Sequence, residues 1–160
     1  MRKSKEHYYI DIARSVAERS TCLRRHYGAV IVKDDEIIAT GYNGSPRGTR
    51  NCHELFSGDC PRKVNTAVPH NGGDYIDCRS VHAEQNAIIS AARKDMMGST
   101  LYLACIIPET GEEREEAPTC CPICLRMVMN AGISQVVSRS RNGLLSVLTE
   151  DFIRRQFDGN

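Results

Sequence analysis

"VHAEQNAII", residues 81–89, sets a histidine and a glutamate two residues apart just ahead of an apolar run. Over 82–94 the residues Ala83, Ala87, Ile88, Ala91 and Ala92 recur at helical spacing, which predicts a helix with one side against a core. His82 and Glu84 then open that helix facing inward, where neither belongs by hydrophobicity alone. A second stretch, "CCPIC" at 120–124, resolves the contradiction. Residues 121–131 read as another helix, stopped by Gly132. Cys121 and Cys124 are spaced i, i+3, so both thiols share one side of its first turn. The positive end of the helix dipole favours thiolate over thiol there. Two cysteines and a histidine form a zinc donor set that keeps a fourth position for water. A carboxylate two residues past the histidine can take that water's proton without binding the metal. His82, Cys121 and Cys124 are thus the expected ligands of a catalytic zinc, and Glu84 the expected proton shuttle.

The flanking segments alternate between helix and strand. Residues 5–19 place Tyr9, Ile12, Ala13, Val16 and Ala17 on one face of an amphipathic helix. "YGAVIVKDDEIIATGYNG" holds two apolar runs, 27–32 and 36–40, around Lys33-Asp34-Asp35, the pattern of a hairpin. A long irregular stretch, about 43–80, is rich in Gly, Pro and Asn. "TLYLACII", 100–107, is a buried strand in which Cys105 is plain core. Residues 108–118 form a polar loop with Glu109, Glu112, Glu113, Glu115 and Glu116. "ISQVVSRS" and "LLSVL" are strands joined across Asn142-Gly143, a strong hairpin signal. Thr149 is placed to cap a last helix that buries Phe152, Ile153 and Phe157. This order predicts one α/β domain over 1–160, layered around a mixed sheet.

The chain has 160 residues, 41% hydrophobic and 26% charged, enough for one domain with a real core. A net charge of +1 gives no bulk drive toward nucleic acid. No apolar run approaches membrane-spanning length, and "MRKSKEHYYIDIARS" lacks a signal-peptide core, which predicts a cytoplasmic chain away from membranes. Eight cysteines in a reducing compartment point to metal binding rather than disulfides. Cys22, Cys52, Cys60 and Cys78 remain outside the first site. A second, structural zinc on these four would staple the 43–80 loop, with His53 or His70 as alternate ligands.

His-x-Glu with Cys-x-x-Cys is the signature of zinc deaminases. With "CLRRHYGAVIV", "ATGYNGSPRG", "CRSVHAEQNAII" and "LRMVMNAGISQVV", the chain resembles the cytidine deaminase-like superfamily over about residues 5–138. Within it, "GYNGSPRG" is most similar to the deoxycytidylate (dCMP) deaminases. The resemblance implies a three-layer αβα fold with a mixed five-stranded sheet. It implies zinc-dependent hydrolysis of dCMP to dUMP with release of ammonia, hydroxide attacking C4 of cytosine, in pyrimidine deoxynucleotide metabolism. Asn43 would bind the substrate's sugar or base. It further implies a homo-oligomer, with dCTP and dTTP as effectors. Deamination of a related cytosine or purine base or nucleoside is the alternative activity, and a non-catalytic zinc- or nucleotide-binding module the alternative class.

Three features depart from the family pattern. Cys120 stands where a proline usually precedes the cysteine pair. The acidic segment 108–118 intervenes before the cysteine helix, as a solvated loop, a lid or a subunit contact, and an acidic rim would repel a phosphate. The Asn142-Gly143 turn makes the last two strands antiparallel. Arg24, Arg25, Arg47 and Arg50 flank the nucleotide-side loops and are candidates to offset a phosphate, with a solvated surface arginine the alternative for each.

Overall fold

Ser4 accepts a hydrogen bond from the His7 amide and so caps helix α1 (Lys5–Ala17). The computed structural model of the chain describes residues 2–60 and 78–157. Helix α1 is followed by strands β1 (His26–Lys33) and β2 (Glu36–Tyr42), which pair antiparallel. Asp34 and Asp35 both take positive φ, 51° and 68°, the conformation that a tight two-residue hairpin demands. β3 (Thr100–Ile106) pairs antiparallel with β1. β4 (Gln135–Ser140) runs parallel to β3, and β5 (Gly143–Leu148) antiparallel to β4. The sheet is therefore five-stranded and mixed, in the order β2-β1-β3-β4-β5.

Side chains alternate across the central strands, so each strand feeds two cores. Val30, Val32, Tyr102, Ala104 and Val137 meet Tyr9, Ile10 and Ala13 of α1 on one face. On the other face Ala29, Ile31, Leu101, Leu103 and Val136 meet Ala83 and Ala87 of α3 (Ala83–Ile89), and Val128 and Ala131 of α5 (Pro122–Ala131). This is the expected three-layer αβα arrangement, and α3 and α5 deliver both halves of the predicted metal site to one face.

Gly41 sets how closely α3 approaches. A Cβ there would strike the backbone of Ala83, Asn86 and Ala87. Gly41→Ala is expected to destabilise the fold by about 1–3 kcal/mol, because backbone cannot yield as a flexible side chain would. Thermal unfolding checks it, and an unchanged midpoint would show that α3 is free to shift.

Several expected details differ. The helix predicted over 82–94 ends at Ile89 and resumes as a single turn, α4 (Arg93–Met96). Ser90 causes the break: its hydroxyl bonds back to the Asn86 carbonyl, and its amide tightens onto Ala87. The β4–β5 turn is one residue earlier than predicted, because Gly143, at φ 133°, already pairs with Ser140. Thr149 does not cap the last helix, α6 (Thr149–Phe157); its hydroxyl donates to the Ile133 carbonyl and ties the helix to the end of α5. Ile153 is not buried but 37% exposed. In the 43–80 stretch the described part forms one short helix, α2 (Cys52–Leu55), while residues 61–77, including His70, lie outside the described residues.

Candidate active site

His82 is the N-cap of α3, with extended backbone, and its amide donates to the Gln85 side chain. An isolated bridge between Gly44 and Val81 fixes this helix start to the loop leaving β2, and Asn86 adds a bond to the Tyr42 carbonyl. Cys121 is the N-cap of α5, Pro122 presets the first turn, and the Cys121 sulfur accepts from the Cys124 amide. These two caps face each other. The Nδ1 of His82 lies 3.5 Å from Cys121 Sγ and 3.3 Å from Cys124 Sγ. The three donor atoms all fall within 4.8 Å of one another, a separation that one ion can bridge.

The chemistry of the donors fits zinc. The Cys121 thiol is pushed down to about 3 by the hydrogen bond from Cys124, aided by His82 and the Cys124 amide and opposed by burial. Cys124 is raised in turn, because it donates that bond and is buried. The pair favours a thiolate at Cys121, and a bound cation would displace the remaining proton. Next to them Glu84 is 4% exposed, and burial raises its carboxyl above the ordinary range. Cys120 is pushed well up, first by burial and then by the Glu84 carboxylate beside it. A buried carboxyl of raised pKa beside a metal donor set is suited to collecting and returning a proton.

A cavity of about 430 Å³ opens onto His82, Glu84 and Cys121, and Tyr27 and Asn43 form part of its wall. Asn43 sits where the sequence places it, but most of its amide is engaged within the protein. Its Oδ1 accepts from the Tyr27 amide and the Ser20 hydroxyl, both at 2.7 Å, and its Nδ2 donates to the Arg25 carbonyl at 2.9 Å. One Nδ2 hydrogen is left in the residue's inventory to address a ligand. Cys22, Cys60 and Cys78 also line the cavity. Burial raises Cys52, and the thiols of Cys22, Cys60 and Cys78 stand near enough to push it the same way. Cys22, Cys60 and Cys78 thus lie along one cavity, with Cys52 within reach of their charge. Among the described residues, however, the group of three or more donors tight enough for one ion is His82, Cys121 and Cys124. His53 lies beside Cys22 in a separate shallow cleft.

Arg24 and Arg25 reach the cavity, as the sequence allowed, and so does Arg114, which sequence reasoning missed. The loop's five glutamates hid its one arginine. The expected acidic rim is not what the cavity meets: Glu113 is turned onto Arg139 and Glu112 onto Arg141.

An αβα domain that seats a His/Cys/Cys donor set against a buried glutamate defines a zinc-dependent hydrolase of the deaminase class. Comparison with known proteins narrows this. Residues 3–140 match the family described as the cytidine and deoxycytidylate deaminase zinc-binding region, and the chain belongs to that family. It is similar to the deoxycytidylate deaminase of Mycobacterium phage D29, with 38% identity over 82% of this chain and 91% of that one. The deoxycytidylate deaminase of Saccharomyces cerevisiae is also 38% identical over 86% of this chain, which spans 38% of that relative's length. Among solved structures, the dCMP deaminase of cyanophage S-TIM5, in complex with dCMP and dUMP, aligns with TM-score 0.56 and 27% identity over 85% of this chain and 81% of that one. The cytidine deaminase of Burkholderia pseudomallei, 14% identical, shares the fold at TM-score 0.58 over 92% of this chain and 95% of that one.

Proposed function

We propose that the protein hydrolyses dCMP to dUMP and ammonia, in pyrimidine deoxynucleotide metabolism. The observation that carries this reading is the His82, Cys121 and Cys124 donor set, of which His82 and Cys121 open into one cavity with buried Glu84 and Asn43. The dCMP and dUMP held by the cyanophage relative support the choice of substrate. Zinc on the three donors would supply hydroxide at neutral pH. Glu84 takes a proton from the attacking water and returns it to the departing amino group, so that water and dCMP give dUMP and ammonia. Burial of Glu84 keeps that proton from leaking to solvent. The test is ammonia release from dCMP, dCTP, deoxycytidine, cytidine and CMP in parallel, with Glu84→Ala as the blank. Turnover centred on dCMP is expected; a zinc-loaded protein silent on dCMP would overturn the reading.

Self-association accompanies this reading. Leu144 and Leu148 are exposed on one face of the edge strand β5 and Leu145 on the other, apolar surface suited to a second copy. Regulation by dCTP and dTTP, as in the resembling enzymes, belongs to the same proposal. So does a cytoplasmic setting: all eight cysteines are free, and no described helix is long and apolar enough to cross a membrane. The neighbourhood of Cys22, Cys52, Cys60 and Cys78 supports a second, structural zinc. Two zinc ions per chain are expected by elemental analysis, falling to one in Cys78→Ser; one ion per wild-type chain would sink the second site.

A further inference from the structure

The acidic segment between β3 and α5 is held by the protein rather than left to solvent. Glu113 forms a bridge with Ile106, and the Ile107 amide donates to the Glu112 carbonyl, so the segment folds back onto the end of β3. Arg139 of β4 clamps the Glu113 carboxylate, its Nε at 2.9 and 3.0 Å from the two oxygens and its Nη2 at 2.6 Å. The same guanidinium reaches Asp11 of α1 at 2.7 Å. Both members of the clamp are largely buried, Arg139 at 17% and Glu113 at 14% side-chain exposure. Arg14 adds a bond to the Gly111 carbonyl, and the Arg141 side chain one to the Glu113 carbonyl.

Residue 114 is the next in line. Its carbonyl accepts from the Arg141 amide at 3.0 Å, so its backbone is fixed to the end of β4. Its side chain reaches the cavity that holds His82, Glu84 and Asn43. Its ion pair with Glu116 spans 3.8 Å, and Glu116 is 87% exposed, a pairing of little strength in water. Arg24 and Arg25 stand on the same cavity, whereas Glu84 is the one acid among its described lining residues. The charge of Arg114 is felt inside: burial raises the Tyr27 hydroxyl and the Cys105 thiol, and Arg114 offsets a part of each rise. An acidic insertion thus uses Glu112 and Glu113 as struts and presents a guanidinium to the site.

We propose that Arg114, braced by the Glu113–Arg139 clamp, recognises the 5′-phosphate of the substrate and so selects nucleotide over nucleoside. The proposal rests on the dCMP reading above. A phosphate dianion suits a guanidinium that can donate two hydrogen bonds at once and sits on a backbone already fixed in place. Arg24 and Arg25 add charge at the same mouth, whereas Arg114 alone comes from the insertion.

The test uses the zinc-loaded full chain, with kcat and KM measured for dCMP and deoxycytidine in wild type, Arg114→Ala and Arg114→Lys. Removal of a charge-assisted bond should raise the KM for dCMP about 10- to 100-fold, with kcat largely retained and deoxycytidine turnover within about twofold of wild type. Lysine, a single point charge, should recover part of the loss. Thermal unfolding should match wild type, since the side chain is a third exposed. An unchanged KM for dCMP, or equal losses on both substrates, would overturn the role of Arg114 while leaving dCMP deamination intact. A wild type that does not turn over dCMP would remove both.

Discussion

Glu84→Gln is expected to retain zinc and lose dCMP turnover by at least about 10³-fold, the order of magnitude of positioned acid–base catalysis. Glutamine keeps the size and hydrogen-bonding outline of the side chain, so the cavity wall is preserved. It cannot accept a proton and give it back, so the step that this carboxyl alone can perform disappears. Glu84 is buried beside the donor set yet outside the group of three tight enough for one ion. Zinc should therefore remain at the wild-type stoichiometry by elemental analysis. Zinc loss in this variant would instead make Glu84 a ligand, and normal turnover would leave the proton transfer to another group.

The donor set was legible because short-range spacing carries it. One residue between a histidine and a glutamate, and two between two cysteines, are geometric statements once each pair is placed at a helix start. Central strands were legible for a similar reason: β1 and β3 are buried along nearly their whole length and read as continuous apolar runs. What the sequence concealed depends on which of several available partners a side chain takes. Nothing near Ser90 announces that its hydroxyl will bond back and end the helix early, since a serine can equally face solvent. Thr149 shows the composition of a cap, yet the nearby Ile133 carbonyl captured its hydroxyl. In the 108–118 segment, composition misled outright. Five glutamates read as a negative rim, whereas the fold spends Glu113 on an arginine 26 residues away and turns Arg114 to the cavity. Asn43 shows the intermediate case: its position at the strand end was readable, while its three protein partners were not.

Cys124→Ser and Cys121→Ser are each expected to abolish stable zinc binding, whereas Cys120→Ser should keep it. The contrast tests the register of the site, because "CCPIC" offers two adjacent candidates for one ligand position. The structure separates them. Cys121 is the N-cap, its sulfur 3.5 Å from His82 Nδ1, and Pro122 starts the helix directly after it. Cys124 is fully buried one turn later, 3.3 Å from the same nitrogen. Cys120 precedes the cap and packs toward Glu84 and the core instead. A serine hydroxyl at 121 or 124 does not ionise near neutral pH, and it replaces a soft thiolate donor with a weak one. Zinc should then be lost on dialysis. The fold should also weaken, because metal affinity is part of folding free energy wherever the unfolded chain has no site. At 120 the change replaces one half-buried sulfur in the cavity wall and should cost about 1 kcal/mol without touching the metal. Zinc content and unfolding midpoint, measured on all three variants, decide the matter. Loss of zinc in Cys120→Ser with retention in Cys121→Ser would move the ligand one residue toward the N-terminus, off the helix cap that now defines the site.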